Sequence, residues 1–342
     1  MKRLIVLVFA VLLSACAQMA VQKPLAPEPS FTGPRLEADR FVSFDGARLG
    51  LTTWTPAGEP WAVIVGVHGM DDYANAFHLA APYWASQGIA TYAYDQRGFG
   101  RSPQRGIWAG DALMTEDLRT ITGLVRARYP HAVVAVAGES LGGAVAIEAF
   151  ASDHPPVADR LVLLAPAVWG WSSQPLAYRL ALNIAVRLSP AKTLNPPSFV
   201  TNHISASDND DELIAMGRDP LMLWGARPDA LYGLVDTMEH GWREIGEVKA
   251  PTLYLLGAKD QIIPKTPALQ AAHRLRAGDR TAYYAEGWHL LMRDKQGHNV
   301  WADVAAFVRD PAAPLPSGAP PIPGATSGSA SSAPLVSAAA AR

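Results

Sequence analysis

Only one cysteine, Cys16, occurs in the 342 residues, so no intramolecular disulfide forms and stability has to come from packing. No basic block is present either: 29 Lys and Arg stand scattered against 31 Asp and Glu, a formal net charge of −2, which argues against nucleic acid as a partner. The apolar run at the N-terminus, Leu4 to Leu13, falls well short of the roughly 20 residues that a permanent membrane-spanning helix requires. The middle of the chain shows no sign of disorder, because 49% hydrophobic residues are ample for a sizeable core.

What is present begins with Met1, Lys2 and Arg3, then the apolar run, then Ser14 and Ala15 ahead of Cys16. A basic start followed by a short apolar stretch is the pattern of a secretory signal. Leu13-Ser14-Ala15-Cys16 resembles the bacterial lipobox, and the resemblance implies removal of residues 1–15 and lipid attachment at Cys16. A plain secretory signal with an incidental cysteine is the alternative. Ala17 stands where an aspartate would mark inner-membrane retention, so an outer-membrane anchor in the cell envelope is expected. Residues 16–34, with Pro24, Pro27, Pro29 and Pro34, read as a semi-extended tether. Residues 311–342 are mostly Pro, Ala, Ser and Gly with a single charge at Arg342, and read as a disordered tail.

Between these ends, residues 35–310 alternate strand-like and helix-like segments, the pattern of an α/β fold with a mostly parallel sheet covered by helices on both faces. Arg40 to Phe44 and Arg48 to Trp54 alternate in polarity around Asp45-Gly46, a hairpin signal. Ala62 to Val67 and Ile89 to Tyr94 are continuous apolar runs of the kind buried on both faces, with a crossover helix expected over Asn75 to Gln87. Further helices are expected over Asp111 to Arg128, Pro267 to Leu275 and Asn299 to Val308, with strands at Leu161 to Leu164, Thr252 to Leu256 and Thr281 to Ala285.

The chemistry is concentrated in Gly138-Glu139-Ser140-Leu141-Gly142, which follows a valine-rich strand and opens a helix. Small residues flank the serine because strand and helix backbones pass too close there for Cβ atoms, which is the signature of a nucleophile elbow. Function in parallel sheets collects at the carboxyl ends of the strands. Those ends carry His68-Gly69-Met70, then Asp95 to Ser102, then Ser140, then Asp260, then His289. The order Ser, Asp, His is the one that an α/β-hydrolase requires. Ser140 is therefore the candidate nucleophile, His289 the candidate base and Asp260 its carboxylate partner. His298, beyond a Lys295-Gln296-Gly297 turn, is the rival histidine, and Asp236 in the insertion is a poorer carboxylate. Arg97, Gly98 and Gly100 read as a structural loop beside the site.

These segments, with LLGAKDQIIP around Asp260 and Gly287-Trp288-His289, resemble the serine hydrolases of the monoacylglycerol lipase and lysophospholipase group within the α/β-hydrolase superfamily. The resemblance implies an acyl-enzyme reaction on a lipid-type carboxylic ester, with no metal or organic cofactor. It also implies an oxyanion hole formed by the backbone amides of Met70 and Leu141. Glu139 departs from the group, whose members usually carry His before the nucleophile. An amidase or aminopeptidase on the same fold, and a catalytically dead surface-binding lipoprotein, are the competing readings. The partners expected are a small ester or lipid substrate and, through the anchor, a membrane; oligomeric state is left open.

Residues 167–245 interrupt the alternation and are expected to form a helical cap insertion over the strand ends. Within it, Pro175 to Leu188 confines its polar residues to a narrow line of Arg179, Asn183 and Arg187. Its wide apolar face either lines an acyl-chain tunnel or meets a lipid surface, or else packs on the body. Ser205 to Leu213 reads as an acidic loop leading into a capped helix.

Overall fold

The computed structural model describes residues 19–195 and 204–325. The signal segment, Cys16 and residues 326–342 lie outside the described residues.

Nine strands form one sheet: β1 (Arg35–Leu36), β2 (Arg40–Val42), β3 (Arg48–Trp54), β4 (Ala62–Val67), β5 (Ile89–Tyr94), β6 (Val133–Glu139), β7 (Arg160–Leu164), β8 (Thr252–Gly257) and β9 (Arg280–Tyr284). Their order across the sheet is β1-β2-β3-β5-β4-β6-β7-β8-β9. The first three pair antiparallel and the rest run parallel from β5 onward. β4, β5 and β8 are buried at every position, as strands sandwiched between helices must be. The Asp45-Gly46 hairpin forms as expected, with Gly46 at φ +84° and the Ala47 amide donating to the Asp45 carboxylate.

Eight α-helices are described: α1 (Ala80–Ser86), α2 (Asp111–Arg128), α3 (Leu141–Ala151), α4 (Leu176–Leu188), α5 (Asp210–Arg218), α6 (Pro228–Glu244), α7 (Lys265–Ala272) and α8 (Gly297–Arg309). Among the described residues, no helix is long and apolar enough to cross a membrane. One buried cluster joins β3, β5 and β6 to α2, α3 and α7; another packs α1 and α8 on the opposite face. The single helix expected over residues 75–87 is instead a 3-10 turn, Ala74–Phe77, followed by α1. The break falls where His78 Nδ1 bonds the Asn75 carbonyl and the Ala74 amide is held by Asp95.

Both chain ends depart from their expected looseness. In the segment read as a tether, Val21 bridges to Trp108, Gln22 bonds the Trp108 and Ile107 carbonyls, and the Leu25 amide donates to Asp45. In the segment read as a disordered tail, residues 311–325 lie against β9. Tyr283 N donates to Pro320 O at 2.8 Å, Ile322 N donates to Thr281 Oγ1 at 3.0 Å, and Ile322 is buried. The physical reason is that β9 is the edge of the sheet. An uncovered edge leaves a row of unpaired backbone groups, and two apolar residues, Leu315 and Ile322, suffice to dock the covering segment.

Candidate active site

β6 ends at Glu139 and α3 begins at Leu141, so Ser140 alone makes the turn. Its backbone sits at φ +52°, ψ −117°, a region L-residues enter only at a cost of order 1–3 kcal/mol. The flanking glycines explain how the turn is tolerated. A Cβ on Gly142 would lie 2.1 Å from the Val67 carbonyl oxygen, and one on Gly138 would lie 2.5 Å from that of Gly142. Gly69 passes so close that a Cβ there would stand 3.2 Å from the Ser140 Cβ, which brings the Gly69-Met70 backbone alongside the serine.

Asp260 follows β8 and His289 follows β9, and the structure brings the two together. His289 Nδ1 donates to Asp260 Oδ2 at 2.9 Å, and both side chains are buried. The other carboxylate oxygen, Oδ1, accepts the amides of Ile262 and Ile263, so its rotamer is held from two sides. Burial alone would lift the Asp260 pKa, but the His289 ring and these amides hold it below the ordinary carboxylate range. Burial likewise opposes a charged His289; the Asp260 charge and hydrogen bond outweigh it and set the imidazole pKa above its usual value. His298 is exposed on the first turn of α8, and Asp236 is bonded to Trp171 Nε1 in the cap, so neither rival joins this pair.

The neighbouring loops are built from satisfied polar groups. His68 Nε2 accepts the Gln96 amide and Nδ1 donates to the Gly69 carbonyl, and burial holds the ring neutral. Asp95 accepts the Ala74 and Arg101 amides and the Arg101 guanidinium. Arg97 is fully buried, bidentate to Asp45 and bonded twice to Asp117, which fits its reading as a structural residue.

One cluster was not legible in the sequence. Arg293, four residues beyond His289, is buried and reaches Asp72 at 2.6 Å and Glu139 at 3.0 Å. Asp72 lies just past the Gly69-Met70 segment, and Glu139 directly precedes Ser140. A single guanidinium on the His289 segment thus ties it to two of the other segments at the site, those carrying Gly69-Met70 and Ser140. The one signal available was an arginine placed directly after the apolar run Leu290-Leu291-Met292.

The cap expected over residues 167–245 is observed as α4, α5 and α6; residues 196–203 within it lie outside the described residues. Asn209 caps α5 by accepting the Glu212 amide. In α4, Leu176, Tyr178, Leu180, Ile184 and Leu188 are all more than half exposed, while Val186 is buried. Among the described residues, most of this apolar face therefore does not pack on the body. Beside it, Trp169, Tyr178 and Trp242 line a cleft of about 650 Å³ with Pro264 and Pro267, close in sequence to Asp260.

Residues 58–296 match the family model described as serine aminopeptidase, S33. The chain is similar to the monoacylglycerol lipase of Mycolicibacterium smegmatis, 26% identical over 275 residues that cover 78% of this chain and 95% of that protein. It is similar to the monoglyceride lipase of Rattus norvegicus at 24% over 272 residues, covering 76% and 86%. Its fold resembles the solved monoacylglycerol lipase of Paleococcus ferrophilus, with a TM-score of 0.62 at 22% identity, covering 76% of this chain and 98% of that one. The order Ser140, Asp260, His289 on this sheet, and a family match over more than half of the residues, lead to one conclusion: the chain belongs to the serine aminopeptidase S33 family of α/β-hydrolases.

Proposed function

We propose that the protein is a serine carboxylic-ester hydrolase that cleaves a lipid-type ester, a monoacylglycerol or lysophospholipid, through an acyl-enzyme. The observation that carries this reading is the buried His289–Asp260 pair at the ends of β9 and β8, on the same sheet edge as the strained Ser140. In the proposed reaction, Ser140 Oγ attacks the ester carbonyl carbon while His289 Nε2 takes the hydroxyl proton. Asp260 fixes the tautomer that leaves Nε2 free to accept it. The tetrahedral oxyanion is held by the Met70 and Leu141 amides, each such donor contributing about 2.7–4 kcal/mol to the transition state. Collapse expels the alcohol, which receives the proton from His289. Water, deprotonated by the same imidazole, then attacks the acyl-serine and releases the carboxylic acid.

The lipid character of the substrate is supported by the named activities of the relatives and by the exposed apolar face of α4. An apolar face of that kind on a monomer marks a contact surface. With lipidation at Cys16, the enzyme would work at a membrane of the cell envelope, the outer membrane on the strength of Ala17.

The test is turnover of p-nitrophenyl acyl esters and of aminoacyl anilides by the wild type and by Ser140→Ala. Loss of nearly all ester turnover in the variant, with a fluorophosphonate probe labelling the wild type only, is the expected result. Retained turnover sinks the assignment of Ser140, and faster anilide than ester cleavage sinks the ester reading. A panel of acyl-chain lengths, with and without micelles, tests the lipid character; preference for short soluble esters contradicts it.

A further inference from the structure

On the side of α3 away from Ser140's turn, three helices bring acidic groups together around one imidazole. Asp111 opens α2, Glu148 lies in the second half of α3, and His240 stands near the end of cap helix α6. One donor atom from each lies within 4.8 Å of the other two. His240 Nδ1 is 3.0 Å from Asp111 Oδ2 and 3.6 Å from Glu148 Oε1. Tetrahedral coordination at bond lengths of about 2.0–2.1 Å places donor atoms roughly 3.3 Å apart, so these separations bracket what a small divalent ion needs.

Two further observations point to a ligand. The Glu148 side chain is only 10% exposed, and among the described residues its Oε1 has no hydrogen-bond partner although it faces the cluster. A buried carboxylate oxygen left so is costly. Asp236 and Glu244 add two more acidic residues beside it. His240 is the imidazole within reach of this group, and it is half exposed, which leaves an entry path and room for water. The second observation concerns orientation. Thr237 Oγ1 donates to Asp111 Oδ1, which leaves Oδ2 turned towards His240, the kind of outer contact that orients a metal-binding carboxylate.

We propose that Asp111, Glu148 and His240 bind a divalent transition-metal ion of the zinc class, which clasps the cap helix α6 to α2 and to the nucleophile-bearing helix α3. A mixed imidazole and carboxylate set suits such an ion better than calcium or magnesium, which take all-oxygen sites. The ion takes no part in the ester chemistry. Its role is to fasten α6 where that helix already lies hard against α3: a Cβ on Gly241, next to His240, would stand 3.2 Å from the Ala144 Cα.

The full chain, stripped of metal by chelation and desalted, is titrated with Zn²⁺ by calorimetry, and its thermal unfolding is followed with Zn²⁺, Ca²⁺ or neither. The expected result is one equivalent of Zn²⁺ bound and a higher Tm with Zn²⁺ but not with Ca²⁺. His240→Ala and Glu148→Gln each weaken binding by about tenfold or more and abolish the Tm shift. His240→Ala keeps wild-type ester turnover in zinc-free buffer, which separates loss of the clasp from loss of the fold. Absence of stoichiometric binding, binding undiminished in both variants, or equal stabilisation by Ca²⁺ overturns the proposal.

Discussion

Arg293 Nη2 donates to Glu139 Oε2 at 3.0 Å, which ties the loop carrying His289 to the residue before Ser140 across 154 positions of sequence. The same guanidinium holds Asp72 on the loop after β4. Burial disfavours its charge, and the two carboxylates restore it. Glu139 is pushed upward by burial in spite of this partner, and its Oε1 has no hydrogen-bond partner among the described residues. The cluster is therefore held in balance by one cation.

Replacing Arg293 leaves two buried carboxylates unpaired, a change that typically costs about 3–5 kcal/mol. Arg293→Met is expected to lower stability by that order in urea unfolding and to reduce kcat in the fraction that remains folded, because the His289 and Ser140 segments lose their tie. Adding Glu139→Gln removes part of the penalty. A double variant no more stable than the single one contradicts this account.

Arg97 offers the contrast. It is as buried as Arg293 and also bridges two carboxylates, Asp45 and Asp117, but these join the hairpin after β2 to α2 rather than the catalytic loops. Arg97→Met is expected to destabilise by a similar amount and to leave kcat and KM of the folded protein near wild type. A large fall in kcat at full folding would give this loop a direct part in catalysis.

The difference between these two arginines shows what could be read from sequence and what could not. Strand ends announce themselves locally, through apolar runs followed by Gly, Asp or His, so Ser140, Asp260 and His289 could be singled out one segment at a time. Arg97 stood in a turn-rich stretch and was legible as structural. Arg293 owes its role to groups far away in the chain, and no local pattern encodes a bond between segments folded together by four parallel strands. The docking of Ile322 was hidden for a related reason. Composition counts how many apolar residues a segment holds, whereas an open sheet edge needs only a few of them at the right place.

Catalysis should follow the protonation of His289. The imidazole accepts a proton only when neutral, and its pKa stands above the ordinary value because Asp260 outweighs burial. kcat/KM is expected to rise with pH through a midpoint above that of an ordinary imidazole. Asp260→Asn removes the stabilising charge, so the midpoint shifts to lower pH, while kcat falls by about four orders of magnitude if the loss resembles that in other serine triads. A pH–rate profile of the variant with an unmoved midpoint would separate His289 from the reaction.

A last prediction concerns Asp71, which adjoins Met70 at φ +65° and whose carboxyl is raised to about 7 by burial and by the charge of Asp72. The folded protein therefore keeps a proton on Asp71 over a range in which the unfolded chain, with a carboxyl near 3.9, has released it. Between those values the native state binds more protons, so this group makes stability fall as pH rises, with the penalty complete above about pH 7. Asn tolerates the left-handed backbone and is neutral throughout. Asp71→Asn should match the wild type in Tm near pH 4, gain progressively as the pH rises, and hold a constant advantage beyond neutrality. Thermal unfolding of both proteins across that range reads the difference directly, since every other titrating group is shared. An advantage independent of pH would mean that the substitution acts through backbone strain or packing and not through the buried proton.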